Sequence, residues 1–328
     1  MRVVSLGSGS SGNALLIEAG PRGRTKLLVD AGFSVRIIAD RLHRIGVHLT
    51  QLQGVLVTHE HSDHVLGLPT LMKRYHIPVI TNPSTYAVIE EGLATGMWRS
   101  DSGKLVSSQK ETIPLIDPAS DTAADISTQD QDGALSAAPA TIDVASTPAL
   151  FLPLEVGASR VIGDITVTSF PISHDAVAPC GYLLSAGGCR VCVVTDSGEV
   201  TQTMLDMMRM ADLLVLESNH DRERLLRGPY PYYLKMRILS STGHLSNDQA
   251  AEAVLRTWRG DSVRWLWLSH LSRTNNTPTL ALGHMRMRLK EARANLAQLH
   301  ISVSPPGMGH TWDSTQLWHT PSLWNMPG

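Results

Sequence analysis

Thr58-His59-Glu60-His61-Ser62-Asp63-His64 follows the apolar run Val55-Leu56-Val57 and places His59, His61, Asp63 and His64, all metal-capable, within six positions. In an extended chain alternate side chains point the same way, so His59 and His61 can approach one ion together. Where Asp63-His64-Val65-Leu66-Gly67-Leu68 turns helical, the chain bends and aims Asp63 and His64 at a neighbouring point. Asp63 also gains there from the positive end of the new helix. A polar loop with incidental histidines explains this spacing poorly, whereas two adjacent metal ions explain it well.

Working outward, the chain opens with strand patterns at Arg2–Leu6, Ala14–Glu18 and Thr25–Asp30, separated by the small-residue loop Gly7–Asn13 and a hairpin turn. A helical pattern over Val35–Ile45 precedes the motif strand. After the motif come a helix to about Tyr75, a strand at Pro78–Thr81 and a helix near Ser84–Gly92. In the second half the strand patterns are Val161–Pro171, Tyr182–Asp196 as a hairpin, Leu213–Glu217, Val263–Ser269 and Ile301–Ser304. Helical patterns cover Met204–Met210, Asn247–Trp258 and Pro278–Gln298. Strands followed by helices in both halves suit an α/β chain of two sheets packed face to face with helices outside.

Two stretches break the pattern. Residues 117–153 are Ala, Ser, Thr, Asp and Pro with little periodicity, which reads as an inserted flexible loop rather than a domain boundary. Residues 305–328 mix Pro and Gly with scattered Trp and His and read as a C-terminal tail, leaving 1–304 as one domain. The formal net charge of −2 is uneven: 222–293 holds thirteen Lys/Arg against five Asp/Glu, and 117–150 holds six Asp with no Lys/Arg. A basic face near a metal site favours a polyanionic substrate. Three cysteines, Cys180, Cys189 and Cys192, build no disulfide framework, and the single Cys189–Cys192 spacing fits core packing better than zinc or redox chemistry. No segment has the apolar length of a signal peptide or membrane span, so the expectation is a cytoplasmic protein without membrane contact. Nothing in the sequence bears on oligomeric state.

Two metals need more ligands than the motif supplies, and strand ends are where they belong. His174 follows Phe170-Pro171-Ile172, Asp196 ends Val191-Cys192-Val193-Val194-Thr195, and His270 ends Trp265-Leu266-Trp267-Leu268-Ser269. Each is weak alone; together they give His59, His61 and His174 for one ion, Asp63, His64 and His270 for the other, and Asp196 as the bridge. The mixed His/Asp set suits Zn2+ and Mn2+ alike.

These motifs, with Asp30 in Leu28-Val29-Asp30-Ala31-Gly32, resemble the metallo-β-lactamase superfamily in order and context. The resemblance implies an αββα sandwich of two mixed sheets with outer helices and the site along one edge of the sheets. Ser8–Ala14, Ser173–Ala176, Glu217–Asp221, Tyr230–Lys235 and Gly243–Asn247 are similar to the YycJ/WalJ-type branch, regarded as DNA exonucleases acting from 5′ ends. Gly243-His244-Leu245-Ser246 and Ser269-His270-Leu271-Ser272 also resemble motifs of transfer-RNA 3′-processing endonucleases. There the counterpart of His244 touches the scissile phosphate rather than a metal.

The expectation is therefore a binuclear metal-dependent phosphodiesterase, a 5′-to-3′ exonuclease with DNA preferred to RNA, using water activated between two cations about 3.5–4 Å apart. Asp63 would orient that water. His244 would meet the phosphate and protonate the leaving group, with Glu217 fixing its tautomer. Asp30 would orient a ligand rather than bind metal. Ser10 and Asn13, in a loop able to offer backbone N–H groups to phosphate, join Asn219, His220, Tyr232 and Lys235 as substrate contacts, the tyrosines by stacking on bases. Hydrolysis of a thioester or lactone, an RNA-processing nuclease, and a metal-holding scaffold without turnover are the alternatives. The basic 222–293 region and His244 favour phosphate, and the complete ligand set disfavours the scaffold.

Overall fold

The computed structural model of the chain describes residues 1–100, 103–107, 150–260 and 262–317. The first half runs β1 (Arg2–Gly7), β2 (Ala14–Ala19), β3 (Thr25–Val29), α1 (Val35–His43), β4 (Gly54–Leu56), α2 (Ser62–Val65), α3 (Leu68–Tyr75), β5 (Val79–Thr81), α4 (Pro83–Thr95), β6 (Met97–Arg99), β7 (Leu105–Ser107) and β8 (Phe151–Pro153). The second runs β9 (Ser159–Ile162), β10 (Ile165–Pro171), β11 (Cys180–Ala186), β12 (Cys189–Val194), α5 (Gln202–Met210), β13 (Leu213–Glu217), α6 (Arg222–Arg227), α7 (Tyr232–Ile238), α8 (Asn247–Arg256), β14 (Arg264–Ser269), α9 (Pro278–Glu291), β15 (Leu299–Val303) and β16 (Thr311–Asp313).

Two seven-stranded sheets result, ordered β16-β1-β2-β3-β4-β5-β8 and β15-β14-β13-β12-β11-β10-β9, with β6–β7 as a separate ribbon. Period-two alternation builds the layers. Val3, Leu15, Ile17, Leu27, Val29 and Leu56 face Ile165, Val167, Leu184, Val191, Val193 and Leu213 in the core between the sheets. The intervening Val4, Leu16, Leu28 and Val55 pack on Ile38 and Leu42 of α1 and Leu71 of α3. Cys192, Val194, Leu214 and Leu216 pack on Met204 of α5, Ala250 of α8 and Met285 of α9. Each sheet therefore buries both faces, giving the αββα order expected.

Cys189 lies in the inter-sheet core and Cys192, three positions along the same strand, in the outer one, so their side chains leave the sheet on opposite faces. No helix among the described residues is long and apolar enough to cross a membrane.

The structure departs from the sequence reading in several places. Residues 311–313 are not tail: β16 pairs antiparallel with β1 and buries Trp312. Residues 318–328 lie outside the described residues, as do 117–149 of the expected insertion. Its last residues, Phe151–Pro153, form β8, parallel to β5. Val161–Pro171 is a hairpin rather than one strand, because Gly163 takes a positive φ of 56° between β9 and β10. The last long helix stops at Glu291.

Candidate active site

Three site residues stand immediately beyond the C-terminal ends of strands that run parallel to a neighbour. Asp30 follows β3, Asp196 lies two residues past β12, and His270 follows β14. Each has a left-handed backbone, with φ of 61°, 58° and 52°. Non-glycine residues pay about 1 kcal/mol or more for this conformation, and it persists only where the surroundings over-determine it. Here they do: Asp30 Oδ1 accepts from the Thr58 amide at 2.9 Å, and the His270 amide donates to Ser8 Oγ at 2.8 Å. The motif itself leaves β4 and bends into α2 with His61 at the N-cap and Asp63 in the first turn, as its pattern implied.

Gly32 holds that bend in place. A Cβ added there would lie 1.7 Å from the Asp63 carbonyl oxygen, which accepts from the Asn13 amide at 2.8 Å. Gly32→Ala is therefore expected to push Asp63 out of register, lowering metal content and cutting turnover by roughly 100-fold, with about 1–3 kcal/mol of stability lost. Metal analysis beside thermal melting checks this; wild-type metal content and turnover in the variant would show that the contact does not position Asp63.

The predicted ligands converge as the sequence grouped them. His59, His61 and His174 bring ligand atoms within 4.8 Å of one another, as do Asp63, His64 and His270, and His59, His64 and Asp196 form a third such set between them. His59 Nε2 lies 3.1 Å and His174 Nε2 3.3 Å from His61 Nδ1. Tetrahedral zinc with Zn–N near 2.0–2.1 Å needs nitrogens about 3.3 Å apart, so these rings already outline the edges of such a site. Asp196 Oδ2 lies 3.1 Å from His64 Nε2 and its Oδ1 3.0 Å from His270 Nδ1, both of the second group, and its carboxylate also falls in one set with His59 of the first. Asp63 Oδ2 lies 3.5 Å from His270 Nε2, while its Oδ1 is buried without a hydrogen-bond partner among the described residues. An orphaned carboxylate oxygen among converging imidazoles is costly unless a cation or water completes it, so the donor set fits two divalent ions.

Electrostatics agree. Burial, with the neighbouring His64 and His61, holds His59 well below its usual pKa and so neutral, the form that ligates. At His64 burial pulls the same way, but Asp30, Asp196 and Asp63 outweigh it and raise the ring well above its usual value. At Asp196 burial is overcome by His270 and His64, which hold the carboxylate well below the usual range. A cluster that draws positive charge this strongly also favours a divalent cation.

The opposite ring nitrogens are fixed from outside. Asp30 Oδ2 lies 2.8 Å from His64 Nδ1, the Gly243 carbonyl 3.0 Å from His174 Nδ1, and Thr58 Oγ1 3.0 Å from His59 Nδ1. Such partners set ring tautomer and orientation. The geometry thus gives Asp30 the orienting position expected of it.

Glu217 does more than expected. Its Oε1 lies 2.7 Å from His244 Nδ1 and 3.0 Å from His270 Nδ1, while Oε2 accepts from the Ser197 and Leu245 amides at 2.9 and 3.1 Å. Burial pushes this carboxyl up, but His244 and His270 more than offset it and hold it below the usual range. One carboxylate therefore orients both a predicted ligand and the predicted phosphate contact. The second link was invisible in sequence, since Glu217 and His270 are far apart in the chain. Asp196, Glu217, His244 and His270 also fall within metal-binding distance of one another, but the short His244–Glu217 bond accounts for both of those side chains.

Asp63 and His244 line one cavity together with Ser10, Asn219, Tyr230 and Arg237. Ser10 and Asn219 are thus among the lining residues, and Asn219 Nδ2 also donates to the His270 carbonyl at 3.0 Å. Arg237, whose Nε donates to Asp175 at 3.0 Å, and Tyr230 join them. Two expectations, His220 and Asn13 as substrate contacts, are corrected. His220 is fully buried and absent from this lining; burial, then the neighbouring His244, pushes its ring down to about 4. Lys235 donates its ammonium to the Leu226 carbonyl at 2.7 Å, a backbone contact that pins α7 to α6. Asn13 lies beneath the loop, its Oδ1 accepting from the Gly9 amide at 2.9 Å and its Nδ2 3.1 Å from His64 Nε2. In the loop the amides of Ser8, Gly9, Gly12 and Asn13 bond within the protein. Tyr232 stands exposed on α7.

An αββα sandwich with His/Asp clusters at the C-terminal ends of its strands defines a binuclear-type metallohydrolase scaffold. The family model described as beta-lactamase superfamily domain matches residues 25–270, and the chain belongs to that superfamily. Among curated relatives, it is 35% identical over 291 residues to exodeoxyribonuclease WalJ of Streptococcus pneumoniae, covering 89% of this chain and 88% of that protein. It is 32% identical over 286 residues to exodeoxyribonuclease YycJ of Bacillus anthracis, covering 87% and 88%. The metallo-beta-lactamase fold protein YhfI of Bacillus subtilis superposes with a TM-score of 0.60 at 14% identity, covering 95% of this chain and 98% of that one, a likeness of fold.

Proposed function

We propose that the protein is a phosphodiesterase holding two divalent cations, Zn2+ or Mn2+, and acting as a 5′-to-3′ exonuclease on DNA. His59, His61 and His174 would hold one ion and Asp63, His64 and His270 the other, with Asp196 between them. The observation that carries the reading is that Asp63 and the Glu217-backed His244 share one cavity, so a group able to orient water and a group able to protonate a leaving oxygen face the same space. The similarity to the exodeoxyribonucleases WalJ and YycJ over nearly 90% of the chain supports the substrate class.

When bound, the cations supply Lewis-acid stabilisation of phosphate charge and lower the pKa of water at the site. The protein does the rest. Asp63 Oδ1 accepts a hydrogen bond from the attacking water and aims it at phosphorus. With Nδ1–H donated to Glu217, the proton that His244 gives to the leaving oxygen sits on Nε2, and the carboxylate offsets the imidazolium charge. Arg237, pulled toward Asp175, stands at the cavity wall where a phosphodiester backbone would pass.

The test is incubation with 5′-phosphorylated, 3′-blocked and circular forms of DNA and RNA under Mn2+ and under Zn2+. Stepwise shortening of linear DNA from its 5′ end, with a 3′ block tolerated, circles resistant and activity falling steeply with salt, is expected. Turnover of thioesters with no cleavage of any nucleic acid would overturn the reading.

A further inference from the structure

Two loops contribute to the wall of the cavity that contains Asp63 and His244: Ser10 from the Gly7–Asn13 loop and Ser272 from the loop between β14 and α9 both line it. Arg273 ties these loops together, its Nη2 donating to Ser11 Oγ at 2.6 Å, and both side chains stand in solvent at the rim. One residue further along, the Thr274 carbonyl accepts from Nε of Arg224, an exposed side chain of α6, at 3.0 Å. Two guanidinium groups are thus anchored to adjacent residues of one loop. Neither pairs with a carboxylate among the described residues, whereas Arg99 and Arg237 share Asp175 and Arg227 pairs with Glu223.

Hydrogen bonds to a hydroxyl and a carbonyl fix these side chains but leave their charge uncompensated. A guanidinium offers five donors in a planar fork that matches phosphate oxygens, and one held in place loses less freedom when it binds. The Ser11 bond occupies one donor of Arg273. A polymer whose scissile phosphate sits by Asp63 and His244 must carry its neighbouring phosphates out past the rim. Resting on the nuclease reading above, we infer that Arg273, supported by Arg224, binds a non-scissile phosphate of the substrate backbone where the strand leaves the cavity beside Ser10 and Ser272. Such a contact positions the strand and carries no information about base or sequence. It adds affinity for a chain of phosphates and none for a substrate with a single phosphate.

The experiment uses the full-length, metal-loaded protein carrying, one at a time, Arg273→Gln, Arg273→Lys, Arg224→Gln and Ser11→Ala. Substrates are an oligonucleotide, assayed from about 50 to 200 mM salt, and bis(p-nitrophenyl) phosphate. Melting temperature and metal content control for folding. Glutamine keeps a donor for Ser11 but no charge, while Ser11→Ala removes the bond and keeps the charge, so the two variants separate an anion contact from a clamp between loops. Arg273→Gln is expected to raise KM for the oligonucleotide roughly 3- to 30-fold at the upper end of that salt range, with kcat and the small diester within about twofold of wild type. The slope of log KM against log salt should fall by about one in Arg273→Gln, return in Arg273→Lys and stay at the wild-type value in Ser11→Ala. Arg224→Gln should shift KM and slope in the same direction by less. An unchanged slope in Arg273→Gln, or a KM rise that Ser11→Ala reproduces in full, overturns the inference while leaving the nuclease reading intact. Hydrolysis of the small diester by wild type with no cleavage of any oligonucleotide would overturn both.

Discussion

Asp196→Asn is expected to fold and yet lose metal and turnover together, with activity down on the order of a thousandfold. The choice of asparagine matters. Asp196 has a φ of 58°, a conformation asparagine tolerates as well as aspartate, and the two side chains have nearly the same volume. A folding defect is therefore not the expected cause of any loss. What changes is charge. The set His59, His61 and His174 offers only imidazoles, and Asp196 is the carboxylate that shares a ligand set with one of them, His59. Without it one cation site has no counter-charge in a buried setting, where an uncompensated ion is expensive. Mass-spectrometric metal analysis of protein purified with Zn2+ or Mn2+ should give clearly less than two ions per chain, with melting temperature of the metal-free protein close to wild type. Two tightly held ions and undiminished turnover would remove Asp196 from the bridging position.

Much of this centre was readable in the chain because it is built from local patterns. The Thr58–His64 run carries its own turn, and Asp30, Asp196 and His270 each follow an apolar run that can only be a buried strand. In the sandwich those strand ends fall at one edge of the two sheets, so a polar residue after each of them reaches a common place. Glu217 was legible as a strand-end acid but its tie to His270 was not, because that depends on β13 and β14 lying side by side.

The misreadings have equally local causes. His220 was grouped with the substrate contacts because it neighbours Asn219, yet adjacency in sequence says nothing about which way a loop side chain points. Lys235, expected as a substrate contact, also donates to a carbonyl where α6 packs on α7, a bond no local pattern announces. β8 and β16 are three residues each, too short for any alternation to register, and both are specified by a waiting edge: β5 for Phe151–Pro153, β1 for Thr311–Asp313. The burial of Trp312 gives the last stretch a hydrophobic reason to dock.

His244→Ala separates the two roles that its surroundings permit. The side chain sits in a buried cluster with Asp196, Glu217 and His270 that has metal-binding distances, and it also lines the cavity with Asp63. If its work is protonation of the leaving oxygen, the variant keeps both cations and its melting temperature but loses roughly 100- to 10,000-fold in turnover on a phosphodiester. The loss should shrink sharply for a substrate whose leaving group needs no proton, such as a p-nitrophenyl ester of a nucleotide, because the phenolate departs unaided at neutral pH. His244→Gln, which can still donate a hydrogen bond from a similar position but cannot give up a proton, should resemble the alanine variant on the natural diester. Loss of one cation in either variant would make His244 a ligand instead. An equal loss on both leaving groups would leave it a contact to the phosphate alone. The 2.7 Å bond to Glu217 favours the acid, since a carboxylate held below its usual range beside Nδ1 is there to balance a charged ring.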